Sequence, residues 1–186
     1  MFETTRRHIF LAGFMGTGKT AVGRALADRL GWGFIDLDEM IESACHRSIP
    51  DIFRLDGEEA FRNYESRALR LAVISPHSVI AIGGGTPLRK DNANVIRATG
   101  RTWLLTATWE VIWRRVSADL NARPVFAQLA RELGGSQPTL EQFAAFAAPI
   151  LERRAEAYRV VADHTLDTSK SPVDELTENI MKAVVS

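Results

Sequence analysis

Residues 8–30 place an apolar stretch, a glycine-rich loop and a helical repeat directly one after another. The stretch reads HIFLAG at 8–13, the loop reads GFMGTGKT at 13–20, and the apolar residues of Lys19 to Leu30 follow one helical stripe that ends at Gly31. A strand, a tight loop and a helix in this order are typical of proteins whose strands pair in parallel. The segment therefore predicts an α/β fold.

The loop matches the pattern G-x-x-x-x-G-K-[ST], which binds phosphate groups. Glycines let the chain turn tightly enough for successive backbone N–H groups to point at phosphate oxygens. The loop also opens a helix, whose positive N-terminal end attracts anions. Lys19 can reach the β- and γ-phosphates, and the Thr20 hydroxyl can bind Mg²⁺. A simple glycine-rich turn would not need these two residues, so we predict a nucleoside triphosphate site.

The rest of the chain alternates short apolar segments with helical periodicity. The expected strands are 33–36, 78–82, 101–105 and 164–166, and the expected helices are 38–44, one that starts at Ser48, 57–74, 91–98, 108–118, 139–159 and 171–185. The pattern predicts a central five-stranded parallel sheet with helices on both faces and right-handed crossovers. Residues 119–138 are expected to form an irregular lobe, and Pro149 is expected to kink its helix.

Two acids follow the second expected strand directly. Asp36 and Asp38 are two positions apart, so they would point the same way if the strand continued through 38. Ligands of open α/β sheets bind at the carboxyl ends of the strands, which would place both carboxylates near the γ-phosphate. The alternative is that Asp38 only caps the next helix, which is a common role for aspartate.

Three glycines, Gly83, Gly84 and Gly85, end the third expected strand at the same edge of the sheet. Without side chains they would let a ligand approach the backbone and bind its N–H groups. A flexible turn would explain the same three residues. The glycines alone leave both interpretations open.

The helix expected at 57–74 carries Glu58, Arg62 and Glu65 at spacings of four and three residues, so the three share one helical face. A face of this kind is most often a set of solvated ion pairs, each worth a few tenths of a kcal/mol. On its own, this spacing favours the solvated interpretation.

The composition limits the function classes. The chain of 186 residues suits a single domain, and its 23 basic and 23 acidic residues cancel, which argues against a general nucleic-acid binder. Cys45 is the only cysteine, which excludes an intramolecular disulfide and favours a reducing, cytoplasmic compartment. No apolar run approaches the ~20 residues that span a bilayer. We therefore expect a soluble cytoplasmic monomer that binds neither nucleic acid nor membrane.

Taken together, the motifs resemble those of the shikimate kinase family over nearly the whole chain. The motifs are GFMGTGKT at 13–20, FIDLDEMIE at 34–42, FRLDGEEAFRNYE at 53–65, IGGG at 82–85, Arg123-Pro124 and ERRAEAY at 152–158. Other small P-loop metabolite kinases, such as gluconate kinases, share only the first motif and the general fold. The resemblance implies a P-loop kinase fold with a mobile lid at about 119–138.

The resemblance also implies an activity, which is the ATP-dependent phosphorylation of the 3-hydroxyl of shikimate with Mg²⁺ as cofactor. It implies that ATP and Mg²⁺ are held by residues of the loop and of four later segments. For ATP these are Gly16, Thr17, Gly18, Lys19, Thr20, Ala21, Arg114 or Arg115 beside the adenine, Arg123 and Lys170; for the metal they are Thr20 directly and Asp36 through water.

On the acceptor side the resemblance implies that Asp38 orients the attacking hydroxyl and takes its proton. Shikimate would be held by Asp38 itself, by two arginines that clamp its carboxylate and by backbone N–H groups: Arg62, Arg154, Gly83, Gly84 and Gly85. Lys19, Asp38 and Arg123 would be the catalytic residues, with Arg123 closing over the phosphates from the lid.

The chain departs from the family pattern mainly around the lid. The motif reads RPVF at 123–126 where the family has two leucines after the proline, residues 125–148 form a longer segment, and Lys170 is only an approximate counterpart of the basic residue near the adenine. Two other functions stay open on the sequence. One is a kinase for another polyol acid, and the other is a nucleotide-binding module without transfer activity.

Overall fold

The structure, a computed structural model, describes residues 7–117, 126, 129, 132–134 and 136–185. Five strands form one sheet in which every pairing is parallel: β1 (His8–Gly13), β2 (Gly33–Asp36), β3 (Ser78–Ala81), β4 (Gly100–Thr106) and β5 (His164–Asp167). Their order across the sheet is β2-β3-β1-β4-β5. The predicted five-stranded parallel sheet is confirmed.

Helices connect the strands and lie close to the predicted ranges. They are α1 (Lys19–Leu30), α2 (Leu37–Cys45), α3 (Ile49–Leu55), α4 (Gly57–Ala72), α5 (Lys90–Thr99), α6 (Trp109–Val116), α7 (Leu140–Val161) and α8 (Val173–Val185). The Ser48 side chain caps α3 by accepting from the Asp51 N–H, as its position before a proline-containing first turn predicts. The helix assignment of α7 continues through Pro149.

Strand β1 lies at the centre of the sheet, and all six of its residues are buried. Alternate residues therefore serve two different cores. Phe10 and Ile80 point to one face, where α2, α4 and α5 cover them, while Leu11 and Trp103 point to the other, where α1 and α8 cover them. A sheet with both faces buried needs continuous apolar strands, and this is why β1 reads HIFLAG rather than alternating with polar residues.

A third core cluster lies beyond the sheet, between α6 and α7. It joins Phe14 of the glycine loop to Ile112 of α6 and Phe143 of α7, and Phe126 stacks on Phe143. Helix α7 begins with a capping box, in which Thr139 and Gln142 satisfy each other's backbone N–H groups. This cluster connects the loop after β1 to the helix that carries Arg154.

Most of the expected lid at 119–138 lies outside the described residues, and Arg123 is among those outside. Within the part of the chain that the structure covers, no helix combines the length and the apolar character needed to cross a bilayer.

Candidate active site

The polar residues singled out in the sequence meet at the carboxyl edge of the sheet, in one cleft of ≈ 940 Å³. The glycine loop follows β1, Asp36 ends β2, and the triple glycine follows β3, so three parallel strands deliver three segments to the same edge. Helices α4 and α7 close the cleft from the sides. The expected site residues that line it are Gly16, Gly18, Lys19, Thr20, Ala21, Asp36, Asp38, Arg62, Gly83, Gly84, Gly85, Arg115 and Arg154.

The glycine loop has the left-handed backbone geometry that its glycines predict. Gly16 and Gly18 have positive φ angles of 72° and 93°, and Gly18 is the residue before α1. A side chain on Gly16 would meet the Val116 Cγ1 atom at 2.8 Å, so the loop packs directly on α6. Thr17 is buried, and its hydroxyl donates to the Phe14 carbonyl at 2.7 Å. Its backbone, rather than its side chain, is the part expected to bind phosphate.

The Lys19 ammonium lies at the base of the loop. Its Nζ atom donates to the carbonyl oxygens of Gly13 at 3.0 Å and Phe14 at 3.1 Å. These bonds hold the cation across the loop, directly beside the N-terminus of α1. The positive end of the helix and the ammonium therefore act on the same small volume.

The two residues expected at the metal, Thr20 and Asp36, touch each other. The Thr20 hydroxyl donates to Asp36 Oδ2 at 2.8 Å, and Asp36 Oδ1 accepts from the Asp38 N–H at 3.1 Å. Within the described residues no group of three or more His, Cys, Asp or Glu side chains forms a metal cage. Mg²⁺ does not need a cage, because it binds one or two protein oxygens and completes its shell with water and phosphate. A hydroxyl and a carboxylate beside a phosphate loop fit that ion.

The strand does not continue through Asp38, as strand alternation of the two acids would require. Strand β2 ends at Asp36 and α2 begins at Leu37, so Asp38 lies in the first turn of α2 and strand alternation does not orient it. The helix cap is Asp36, and the alternative that assigned capping to Asp38 is also wrong. A helix begins here because the Asp36 side chain accepts the N–H of residue 38.

Asp38 nevertheless reaches the cleft, and its surroundings alter its protonation. A side chain on Gly83 would lie 2.9 Å from Asp38 Oδ1, which places this carboxylate against the triple glycine. Burial, followed by the negative charge of Asp36, raises the pKa of Asp38 to about 6, while Lys19 acts in the opposite direction. A carboxylate with this pKa is a better proton acceptor near neutral pH than an ordinary aspartate.

Arg62 is not part of a solvated surface pair. Its side chain is 13% exposed and donates to Glu65, which is 1% exposed, at 2.6 Å and to Glu58 at 2.8 Å. Glu65 also accepts from the Thr86 hydroxyl at 2.8 Å. A side chain on Gly85 would run into the Arg62 guanidinium, so the glycine leaves room for it.

Arg154 of α7 also approaches the triple glycine, at the neighbouring residue Gly84. A side chain on Gly84 would meet Arg154 Nη1 at 2.5 Å and the Tyr158 hydroxyl at 3.1 Å. The buried Tyr158 donates to the Gly84 carbonyl at 3.0 Å, and burial raises the pKa of this hydroxyl, which keeps its proton. Two guanidinium groups, Arg62 and Arg154, thus flank one short stretch of glycine backbone.

Some expected residues do not join this arrangement. Arg114 and Lys170 are exposed and lie outside the described lining of the cleft, whereas Arg115 lines it and donates to the Gly16 carbonyl at 3.0 Å. The sequence interpretation also missed two residues. Thr86 follows the triple glycine directly, and its position there is the only sequence signal for it; Thr168, which is buried under the glycine loop, carries no motif at all.

A family model described as shikimate kinase matches residues 15–185. The shikimate kinase of Bordetella avium is 36% identical over 173 residues, covering 93% of this chain and 77% of that protein. The shikimate kinase of Caldanaerobacter subterraneus subsp. tengcongensis is 36% identical over 179 residues and 96% of each chain.

Solved structures give the same result. Shikimate kinase from Acinetobacter baumannii in complex with shikimate superposes with a TM-score of 0.84 at 30% identity, covering 98% of this chain and 94% of that one. Shikimate kinase from Bacteroides thetaiotaomicron superposes with a TM-score of 0.82 at 28% identity, covering 96% and 98%.

Proposed function

Since this chain belongs to the shikimate kinase family, we propose that it transfers the γ-phosphoryl group of ATP to the 3-hydroxyl of shikimate. The family's enzymes are phosphotransferases with an alcohol acceptor, and their product leads to the aromatic amino acids. One observation carries the proposal: the cleft joins a phosphate loop to a carboxylate with a raised pKa and to two arginines. These groups match a triphosphate, a hydroxyl and a planar carboxylate, respectively.

The donor half of the cleft is the loop from Gly16 to Ala21. Its backbone N–H groups and the N-terminus of α1 bind the phosphates, and the Lys19 ammonium moves from the carbonyls of the loop to the β- and γ-phosphates. Thr20 would hold Mg²⁺ directly and Asp36 would hold it through water. When bound, the metal neutralises charge on the phosphates as the transfer proceeds.

The acceptor half centres on Asp38. Its carboxylate accepts the hydrogen bond of the 3-hydroxyl, aims the oxygen at the γ-phosphorus and receives the proton as the new P–O bond forms. The bond between the γ-phosphorus and the bridging oxygen breaks at the same time, and ADP carries away the electron pair. Because the pKa of Asp38 is raised to about 6, the carboxylate is ionised at neutral pH and still basic enough for this role.

The shikimate carboxylate lies between Arg62 and Arg154. A guanidinium fork is the best match in a protein for a planar carboxylate, and two forks beside the same glycine segment fix its orientation. The N–H groups of Gly83, Gly84 and Gly85 complete this subsite, because the missing side chains let the ligand approach the backbone.

The proposal extends to parts that the described residues do not cover. Arg123 closes over the phosphates from a lid at about 119–138 and stabilises the charge on the moving phosphoryl group. The enzyme works as a monomer in the cytoplasm and binds no nucleic acid. Its single cysteine supports the cytoplasmic location, and its zero formal net charge argues against nucleic-acid binding.

An ADP-release assay tests the acceptor. We expect turnover with shikimate and none with gluconate, because shikimate holds its carboxylate and hydroxyls on a rigid ring, whereas gluconate is an open, flexible chain. Turnover with gluconate alone would favour a kinase for another polyol acid. ATP binding without turnover of either acid would favour a nucleotide-binding module.

A further inference from the structure

Helix α6 packs against the phosphate loop. A side chain on Gly16 would lie 2.8 Å from Val116 Cγ1 and 3.1 Å from Ile112 Cγ2, so the backbone of the loop rests directly on two apolar residues of α6. Both of these residues are buried. The position of α6 therefore determines where the backbone of the loop lies in the cleft.

One residue of the same helix, Arg115, donates hydrogen bonds to the loop and to the segment after β5. Its Nη1 atom donates to the Gly16 carbonyl at 3.0 Å and to the Thr168 hydroxyl at 3.0 Å, and its Nη2 atom donates to the Thr168 carbonyl at 2.8 Å. One guanidinium thus joins the phosphate loop to the segment that follows β5. A guanidinium holds its N–H donors in a rigid planar fork, whereas a lysine presents all its donors from one nitrogen atom on a flexible stem.

Thr168 extends the same connection. Its side chain is buried, and its hydroxyl shares its single proton between the carbonyls of Thr17 at 2.9 Å and Thr106 at 3.1 Å while it accepts from Arg115. Its backbone N–H donates to the Thr106 carbonyl at 2.8 Å. Three chain segments, which are the loop and the ends of β4 and β5, meet at this one hydroxyl.

The bonded oxygens matter because of peptide geometry. In a planar trans peptide the C=O of one residue and the N–H of the next point in opposite directions. Gly18 follows Thr17 and lines the cleft. A hydrogen bond from the Thr168 hydroxyl to the Thr17 carbonyl oxygen therefore turns the Gly18 N–H toward the phosphates. An anchor on the Gly16 oxygen fixes the preceding peptide plane, whose Thr17 N–H donates to the Phe14 carbonyl at 3.4 Å.

We propose that Arg115 and Thr168 are positioning residues for the triphosphate, which act through the carbonyl oxygens of Gly16 and Thr17. The inference rests on the proposed donor site and assigns Arg115 a different role from the one implied by the family resemblance, in which Arg114 or Arg115 flanks the adenine. The two roles differ in what they recognise. A positioning residue affects any polyphosphate chain, whereas an adenine contact affects only ligands that carry the base.

Calorimetry with Mg²⁺ and either ATP or inorganic tripolyphosphate separates these roles. Thr168→Val keeps the shape of a side chain that touches no ligand and removes only the buried hydroxyl. We expect it to weaken binding of ATP and of tripolyphosphate by the same factor, about 10-fold. The matched control is Thr177→Val, at a buried threonine whose hydroxyl donates within α8 to the Asp174 carbonyl, and it should leave both affinities unchanged.

Arg115→Lys provides the second variant, since it keeps the charge and loses the fork. We expect a similar loss, about 10-fold, for both ligands, with a raised KM for ATP, an unchanged KM for shikimate and unchanged shikimate binding to the free enzyme. A loss for ATP with normal tripolyphosphate binding would overturn the proposal in favour of an adenine contact. Normal affinity for both ligands, or an equal loss of shikimate binding, would also overturn it.

These outcomes are independent of the proposed reaction. If the wild-type protein bound tripolyphosphate and the variants weakened that binding while shikimate was not turned over, the acceptor assignment would fail and the positioning role would stand.

Discussion

The carboxylate of Asp38 lies among three other acids, Asp36, Glu65 and Glu42, and one cation, Lys19. Burial and the neighbouring acids outweigh the cation, so the folded protein holds the Asp38 proton more tightly than the unfolded chain does. A pKa raised from 3.8 to about 6 contributes stability that is fully present below the unfolded value and is lost as the pH rises through the folded one. The residue that suits the chemistry therefore destabilises the fold at neutral pH.

Asp38→Asn should abolish shikimate turnover and raise the stability of the fold at neutral pH, because the amide carries no charge to bury. We expect its advantage in unfolding free energy over the wild type to be larger near pH 7.5 than near pH 5, by about 1 kcal/mol. Urea titrations at both pH values measure it. An advantage that did not change with pH would contradict the raised pKa.

The same pKa predicts the acid limb of the rate profile. Protonation of Asp38 removes the hydrogen-bond acceptor for the attacking hydroxyl, so kcat/KM for shikimate should fall as the pH drops through about 6. A carboxyl resonance of ¹³C-labelled aspartate should titrate at the same pH and vanish in Asp38→Asn. A profile that stayed flat down to pH values near an ordinary aspartate pKa, about 4, would show that Asp38 is not the proton acceptor.

Lys19→Ala should lower turnover by at least ~10²-fold, because the γ-phosphate loses its main protein cation. The matched control is Lys182→Ala, which removes an exposed lysine paired with Glu178 on α8 and should turn over normally. Steady-state rates at saturating ATP and shikimate decide the matter. Wild-type rates in Lys19→Ala would refute the assignment of the phosphate loop.

Arg62→Ala should weaken shikimate binding by about 100-fold and leave ATP binding intact, since the residue serves only the acceptor half of the cleft. The control, Arg54→Ala, removes an exposed arginine paired with Asp51. Because Arg62 also neutralises the buried Glu65, Arg62→Lys provides a variant that retains the charge. Calorimetry that showed lost ATP binding and normal shikimate binding would make Arg62 a structural ion pair.

At the scale of elements, the site depends on three loops at the ends of β1, β2 and β3 and on the helices that fix them. The glycine loop rests on α6, and the triple glycine lies between the guanidinium groups that α4 and α7 supply. Glycine is needed at these contacts because a Cβ atom would occupy the space of a neighbouring group. The helices therefore contribute to catalysis by holding backbone in place.

Gly16→Ala tests the contact between the loop and α6. The new Cβ would meet Val116 at 2.8 Å in a backbone with φ of 72°, so we expect lost ATP binding. Gly31→Ala is the matched control, since its φ of 66° is equally unfavourable but no atom lies within 4 Å of the new Cβ. Both should lose stability, by about 1 kcal/mol for strain, and only Gly16→Ala should lose nucleotide affinity. Equal ATP affinities would contradict the contact.

At the scale of the whole molecule, the cleft brings a donor half and an acceptor half together across one sheet edge. The donor half is local in sequence, whereas the acceptor half joins α2, α4, the loop after β3 and α7. Phosphoryl transfer depends mostly on the relative position of the two substrates, so the rigidity of the sheet between the halves matters as much as any single side chain.

Hydrogen exchange tests the proposed lid. We expect exchange in residues 119–138 to slow when a non-hydrolysable ATP analogue binds, because Arg123 would then contact the phosphates. Peptides from α8, which contributes no residue to the described lining of the cleft, provide an internal control. Equal exchange in 119–138 with and without the analogue would argue against closure of this segment.

The sequence by itself determined the order of strands and helices, the parallel sheet and the phosphate loop. These features follow from short-range patterns. A buried strand needs a continuous apolar run, a helix needs apolar residues on one stripe, and GFMGTGKT contains its glycines, Lys19 and Thr20 within one loop. Asp36 and Asp38 were found for the same reason, since they follow directly on the strand predicted at 33–36, where β2 lies.

Only the tertiary structure decided how distant residues act together. Tyr158 meets Gly84 across 74 positions and Thr168 meets Thr17 across 151, and no local pattern records either pairing. The same is true of Arg62, whose spacing to Glu58 and Glu65 suggested solvated pairs until the packing of α4 buried Glu65. Burial and charge environment are set by long-range packing, so the pKa of Asp38 and the support under the phosphate loop emerge only in the folded chain.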